Sequence, residues 1–389
     1  MEFSKLLIFT AYLGLLLSVA TAGSHPEHHH HHHHHHHNHS HTTESHKLMQ
    51  AHKQQASISA VFAFGDSSVD TGNNNINYGT RYRSDHLPYG MDFSYHTATG
   101  RSSNGRLIVD YIISSLGLKD TLTAYVGSPI EEFQTGISYG ISGAGLDDNT
   151  VRANSVPTFD QQVISFEHTI QYLIKAVGEK RAKQIVKDAL YIVSVGTNDM
   201  VDTYYRPLLQ IGLTDIGSYH YNLLLKLEGT LQRLYKDGAR KFVVLGMPPI
   251  GCLPKQVSAI SLQNLIHTIL YGRDCIDEQN NDAQGYNMKL RDLVSSINSQ
   301  VPDIHVEYVD IYGPMMDMIS NPYRYGFEST IVACCGLLGL PMVGDLCNEL
   351  TPRCPNPNQY LFWDSINPTQ VVNAQLAGLI ANEVLPKFH

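Results

Sequence analysis

From Ala60 to the C-terminus, short apolar runs alternate with longer segments of helical period, and this alternation constrains the fold most. "AVFAF" reads as a short buried strand ending at Gly65. "GRLIVDYIISSLG" is helical, with Leu107, Tyr111 and Ile112 among its apolar positions. "FDQQVISFEHTIQYLIKAVG" predicts a second helix, and "EKRAKQIVKDA" a third that feeds the apolar strand "LYIVSVG". "YNLLLKLEGTLQRLYKDG" is a long amphipathic helix ending at Gly238, before the strand "KFVVLG". A helix around "DAQGYNMKLRDLVSSIN" precedes the strand "IHVEYVDI", and "PTQVVNAQLAGLIANEVL" is the last helical segment. Strands spaced by helices predict an α/β fold with a mostly parallel sheet covered on both faces. No internal repeat or linker divides residues 58–389, which read as a single domain.

The remaining composition narrows the class. A hydrophobic fraction of 42% over 389 residues is that of a globular chain. A net charge of -9, with Lys and Arg scattered, excludes the basic face of a nucleic-acid binder. Residues 1–22 read as a signal peptide: Lys5, an apolar stretch from Leu6 to Ala20, and a small-x-small site at Ala20-Thr21-Ala22. No later stretch is long and apolar enough to span a bilayer, so a secreted, extracellular protein is expected.

Secretion bears on the six cysteines, which suggest disulfides within two groups. Cys252 and Cys275 form one; Cys334, Cys335, Cys347 and Cys354 form the other. Their spacings are not those of a zinc finger or ribbon. Residues 23–57 carry no apolar pattern to bury and read as a disordered, His-rich arm. An affinity tag is one reading of the tract. Its interleaved Asn38, Ser40 and Thr42, and its place after a signal peptide, favour a native one. Imidazoles such as His28, His30, His32, His34 and His36 would bind Zn, Cu or Ni loosely and release them below about pH 6.5. A solvated spacer without a ligand is the plain alternative. Asn38 opens the glycosylation sequon "NHS". No metal is expected in the domain, and no cofactor.

Reactive groups in such sheets gather at the C-terminal ends of the strands. Three strand ends are suggestive. In "FAFGDSSVDTGNNN", Gly65 permits a sharp turn that leaves Asp66 and Ser67 at the strand's mouth. In "VSVGTNDM", Asn198 follows a Gly-Thr turn, and "YLFWDSINPTQ" presents Asp364 beside Asn367. Between the first two, the glycine-rich "GISYGISGAG" reads as a loop whose N–H groups can cradle an anion. Singly, such residues are those of ordinary turns.

In this order, the set resembles the GDSL, or SGNH, family of serine ester hydrolases, in its plant secreted branch. The resemblance runs from about Val61 to Leu385. "FGDSSVDTGNN" is similar to the first block, with Ser67 as nucleophile. "GRSSNGRLIVDYI" resembles the segment that follows it in plant members. "GISYGISGAG" resembles the second block, with Gly143 as a backbone oxyanion donor, and "VGTNDM" the third, with Asn198 as the side-chain donor. "GMPPIGCLP" and "CCG" are further plant-branch features. The resemblance implies a three-layer α/β/α sandwich of flavodoxin-like type. It also implies acyl transfer on an ester or lipid: Ser67 attacks, Ser67 N–H, Gly143 N–H and Asn198 hold the oxyanion, and Asp364 orients a histidine.

The last block departs from the family at that histidine, where this chain has Asn367. An amide has no basic nitrogen near neutral pH. In serine hydrolases losing the base costs on the order of a million-fold. The chain therefore reads either as an esterase, lipase or acyltransferase of weakened turnover, or as an inactive relative that binds a lipid, an acylated ligand or a protein partner. Asn-Pro-Thr-Gln also has the form of a helix start with Asn367 as N-cap. His168, His220, His267, His305 and His389 carry no site signature that would replace the base. Ser138 sits in a G-x-S-x-G match, but "EEFQT" before it is a poor strand, so the match reads as accidental.

Overall fold

The computed structural model describes residues 58–76, 79–206, 215–258, 274–337, 340–341 and 347–388. The signal segment, the His-rich arm, His267 and His389 lie outside the described residues.

Six strands form one sheet: β1 (Val61–Gly65), β2 (Thr123–Ala124), β3 (Gly136–Ser138), β4 (Leu190–Ser194), β5 (Lys241–Leu245) and β6 (His305–Val309). Their spatial order is β2-β3-β1-β4-β5-β6, and every pairing is parallel. Apart from the two-residue β2, this is the doubly wound order in which the strand sequence reverses beside β1. The reversal falls between β1 and β4, whose register pairs Gly65 with Ser194. Each residue of these two strands is buried, so the sheet is covered on both faces, as the apolar runs predict.

The covering helices are α1 (Ile108–Ser115), α2 (Asp148–Asn154), α3 (Phe159–Val177), α4 (Glu179–Asp188), α5 (Ile216–Lys236), α6 (Pro254–Ser258), α7 (Asp277–Gln300), α8 (Tyr312–Ser320) and α9 (Gln370–Leu379). Helix α1 packs on α9; α3 packs on α5, and α5 on α7. Phe166 of α3 sets its ring edge-on to Phe62 of β1 at 5.2 Å and to Tyr191 of β4 at 5.5 Å. These rings lock the central strands to one helical layer. Among the described residues no helix is long and apolar enough to cross a membrane.

Two strands escape the sequence pattern. The stretch expected to be all loop begins as β3, and Ser138 is the last residue of that strand. Gly136 permits this pairing: a Cβ there would lie 2.0 Å from the Val61 carbonyl oxygen. Close approach to β1, not side-chain periodicity, makes the strand. Ser138 is nonetheless fully buried, with its hydroxyl bonded to the Val69 carbonyl, so it cannot meet a substrate.

The disulfides fall within the two expected groups: Cys252–Cys275, Cys334–Cys354 and Cys335–Cys347. Cys334, Cys335 and Cys347 pack with Tyr89 and Trp363 in a small buried cluster beside the main core.

Candidate active site

Two of the three suggestive stretches do lie at strand ends; the third, with Asp364, follows no strand of the sheet, yet all three stretches meet at one cleft. Ser67 follows β1, Asn198 follows β4, and both line one cleft with Asn367. Its walls are otherwise mostly apolar: Ile108, Leu245, Leu253, Met315, Ile366 and Leu376 surround an empty volume of about 600 Å³ that opens to solvent. A mostly apolar cleft with a few polar side chains is the kind of lining that small-molecule sites have. It sits at the strand-order reversal, where open α/β sheets hold their ligands.

The turn that presents Ser67 depends on Gly65. Its φ is +144°, and a Cβ would stand 1.8 Å from the Ser194 carbonyl oxygen. The Asp66 N–H donates to that carbonyl at 3.0 Å, so β1 is tied to β4 to its last residue. Ser67 is 8% exposed, and its N–H donates to no described residue.

Gly143 lies in the loop after β3 and is not itself part of the cleft lining. Its φ is +86°, and an added Cβ would come 2.7 Å from the Tyr82 ring. Its N–H likewise donates to no described residue, while the residues on either side are held firmly. The Ser142 N–H and hydroxyl donate to Asp70 at 2.8 and 2.9 Å. The Asn198 side-chain amide donates to the Ala144 carbonyl at 2.9 Å, which leaves its second N–H free. The Leu146 and Asp147 N–H groups donate to Asp199 at 2.9 and 2.8 Å. The Gly143 carbonyl accepts from Asn154, which also donates to Asp202. The Ser67 N–H and the second Asn198 N–H thus stand in the cleft lining without a partner among the described residues, while Gly143 lies in the adjoining loop.

Sequence reading missed this bracing. Asn73 donates to the Ser138 and Gly140 carbonyls, and Asn74 to those of Tyr82 and Ser142. The signal was present in "DTGNNN": a run of Asx residues beyond a strand has little to do but bond backbone.

Asp364 is fully buried. It accepts from the Ile366 N–H at 2.9 Å, the Asn367 N–H at 2.7 Å and the Tyr89 hydroxyl at 2.9 Å. The Asn367 Nδ2 lies 3.0 and 2.9 Å from its two oxygens. Burial raises the Asp364 pKa above the ordinary carboxylate range, and these donors oppose the rise. A carboxylate only accepts, so it selects the NH2 end of the amide and turns the Asn367 carbonyl oxygen away from itself. Asn367 is therefore not the N-cap that its sequence context suggests. Helix α9 begins at Gln370 with Thr369 as N-cap, and the Asn367 side chain is spent on Asp364. A buried carboxylate left without donors costs more than a helix start left without a side-chain cap.

No histidine is among the residues lining the cleft. His168 is exposed on α3, and His305 pairs with Glu307. His220 is buried against Tyr286, and burial lowers its pKa to about 4. Among the described residues Asp66 is the only acidic or basic side chain in the lining, and burial raises its pKa to about 6. Among the described residues no cluster of three or more His, Cys, Asp or Glu side chains is arranged to hold a metal ion.

Comparison with known proteins gives a consistent picture. The family described as GDSL-like Lipase/Acylhydrolase matches residues 61–380. A GDSL esterase/lipase of Arabidopsis thaliana is 40% identical over 331 residues, covering 85% of this chain and 90% of the relative. A second from the same plant is 41% identical over 315 residues, covering 80% of this chain and 85% of the relative. A third is 38% identical over 332 residues.

Proposed function

The chain belongs to the GDSL-like lipase/acylhydrolase family, whose members hydrolyse ester bonds, and from that premise we propose that it is a secreted carboxylic-ester hydrolase acting through Ser67. The observation that carries this reading is the shared cleft of Ser67, Asn198 and Asn367, walled by apolar side chains. The acyl chain lies on those walls, where burial contributes about 0.8 kcal/mol per methylene. Ser67 Oγ attacks the carbonyl carbon. The Ser67 and Gly143 N–H groups and the free Asn198 N–H take the charge that develops on oxygen.

Asn367 sets the rate. Its amide occupies the place of a histidine on Asp364, but the carbonyl oxygen it turns from Asp364 only accepts a hydrogen bond. Turnover is therefore far below that of a complete Ser-His-Asp site. A second reading, an inactive relative that holds a lipid or acylated ligand, rests on the same amide.

Hydrolysis of a short p-nitrophenyl ester by the wild type, Ser67→Ala, Asn367→His and the double variant tests this. The expected result is slow Ser67-dependent turnover that Asn367→His raises at least 100-fold, the usual contribution of a general base. A wild type at background, with Asn367→His active and Ser67-dependent, selects the binding reading. Wild-type turnover that Ser67→Ala leaves unchanged removes Ser67 from the mechanism.

A further inference from the structure

We propose that Asp66 is the general base for Ser67 in this chain, in the role that the Asn367 amide cannot fill. The inference rests on Ser67 as nucleophile. Its ground is the placement of the carboxylate. Asp66 lines the cleft beside Ser67, and among the described residues no other lining side chain is an acid or a base. Its Oδ1 accepts from the Ser68 N–H at 3.0 Å and the Ser68 hydroxyl at 2.7 Å. The Ser68 hydroxyl is in turn 2.7 Å from that of Ser194 at the end of β4. No other described residue donates to Asp66 Oδ2. One oxygen is thus oriented by a third group, as a general base requires, while the contact with Ser67 is left to form when substrate binds.

Its surroundings suit the task. The polar residues that share the cleft with it after β4, Ser194, Thr197 and Asn198, and Asn367 from the last block, are all uncharged. On its own loop stands Asp70, a buried carboxylate held by Gly72, Asn73 and Ser142. Burial first, then repulsion from Asp70, raises the pKa of Asp66, against the Ser68 hydrogen bonds. A carboxylate that titrates near 6 is ionised at neutral pH and is a stronger base than an ordinary aspartate.

The proton balance is complete. As Ser67 Oγ bonds to the carbonyl carbon, its proton passes to Asp66, directly or through one water, and the carbonyl electron pair moves to oxygen. Collapse breaks the ester C–O bond, and the departing alkoxide takes the proton from Asp66. Water then attacks the acyl-Ser67 carbon and gives a proton to Asp66. That proton returns to Ser67 Oγ as the carboxylic acid leaves.

Asp66→Asn is the first test, made in both the wild type and the Asn367→His background. In the wild type it lowers kcat at least 100-fold and removes the limb of the pH profile. Before substitution that limb falls tenfold per pH unit below about 6. In the Asn367→His background the same substitution costs less than tenfold, because imidazole supplies the base. A purely structural Asp66 would instead cost the same in both backgrounds, which overturns the proposal; so does an Asp66→Asn protein with wild-type rate. A wild type at background while Asn367→His turns over also overturns it, yet leaves Ser67 as nucleophile. Failure of Asn367→His itself, with no fluorophosphonate adduct on Ser67, is failure of the underlying function instead.

Discussion

At the scale of single residues, the site turns on how Asp364 is satisfied. Four donors from Tyr89, Ile366 and Asn367 surround a carboxyl that has no exposure. A neutral amide fits that need as well as an imidazole N–H does, so Asn367 preserves the local structure while changing the chemistry. Asn367→Asp removes the fit. Two buried carboxylates then share one place, and one must stay protonated. The folded pKa of the pair rises above the unfolded value, so the folded state binds a proton that the unfolded state lacks, and stability falls as pH rises. Urea unfolding should show a loss on the order of 3 kcal/mol at pH 8 and a smaller one at pH 5. Equal losses at the two values would contradict this account. That an amide stands here is legible in the sequence; that it binds Asp364 rather than capping a helix is not, because capping and carboxylate binding call for the same short polar side chain.

At the scale of elements, the segment that presents Asp364 is held by disulfides rather than by the sheet. The Cys334 and Cys335 N–H groups donate to the Phe362 and Trp363 carbonyls at 3.0 and 2.7 Å. Cys334 is bridged to Cys354, and Cys335 to Cys347 across 12 residues. Trp363 is fully buried against this pair, immediately before Asp364. Closing a loop of that length stabilises the fold by about 3 kcal/mol through the unfolded chain. The Cys335→Ser, Cys347→Ser double variant should lose about that much in denaturant unfolding and lose ester turnover in proportion. Full stability with normal turnover would show that the bridge does not support the last block. The grouping of the six cysteines follows from their spacing, but the nested choice within the group of four required the packing of Trp363 and Tyr89.

At the scale of the whole molecule, buried acids give the fold an unusual pH response. Asp199, which anchors the loop after β3, is fully buried, and burial raises its pKa to about 7. Its unfolded value is the ordinary 3.8. Between these values the folded state holds a proton that the unfolded state has released, so stability rises as pH falls through 7. His220 acts oppositely, but only below its unfolded value of 6.5. Lowering the pH from 8 to 6 should therefore raise Tm, by about 2 °C for a change of about 1 kcal/mol. Asp199→Asn should flatten that response, and an unchanged slope in the variant would assign it to another group. Neither the burial of Asp199 nor its three donors could be read from "TNDM", which looks like any polar turn.

Local pattern decided a good deal. The alternation of apolar runs and helical segments was enough for a covered parallel sheet, because burial on both faces leaves a direct mark on each strand. The apolar runs before Ser67 and Asn198 placed both at strand ends, whereas Asp364 follows no strand of the sheet, and Asn367 stands where the resemblance expects a base. Tertiary structure decided the rest. β3 is a strand only because Gly136 lets it approach β1, and a glycine carries no periodic signal. Asp66 borders the cleft only because Gly65 turns the chain there against the Ser194 carbonyl. The direction of the Asn367 amide was set by a carboxylate three residues away that had first to be buried by Trp363 and Tyr89. Each of these depends on atoms brought together from distant parts of the chain, and distance along the chain is what local pattern cannot span.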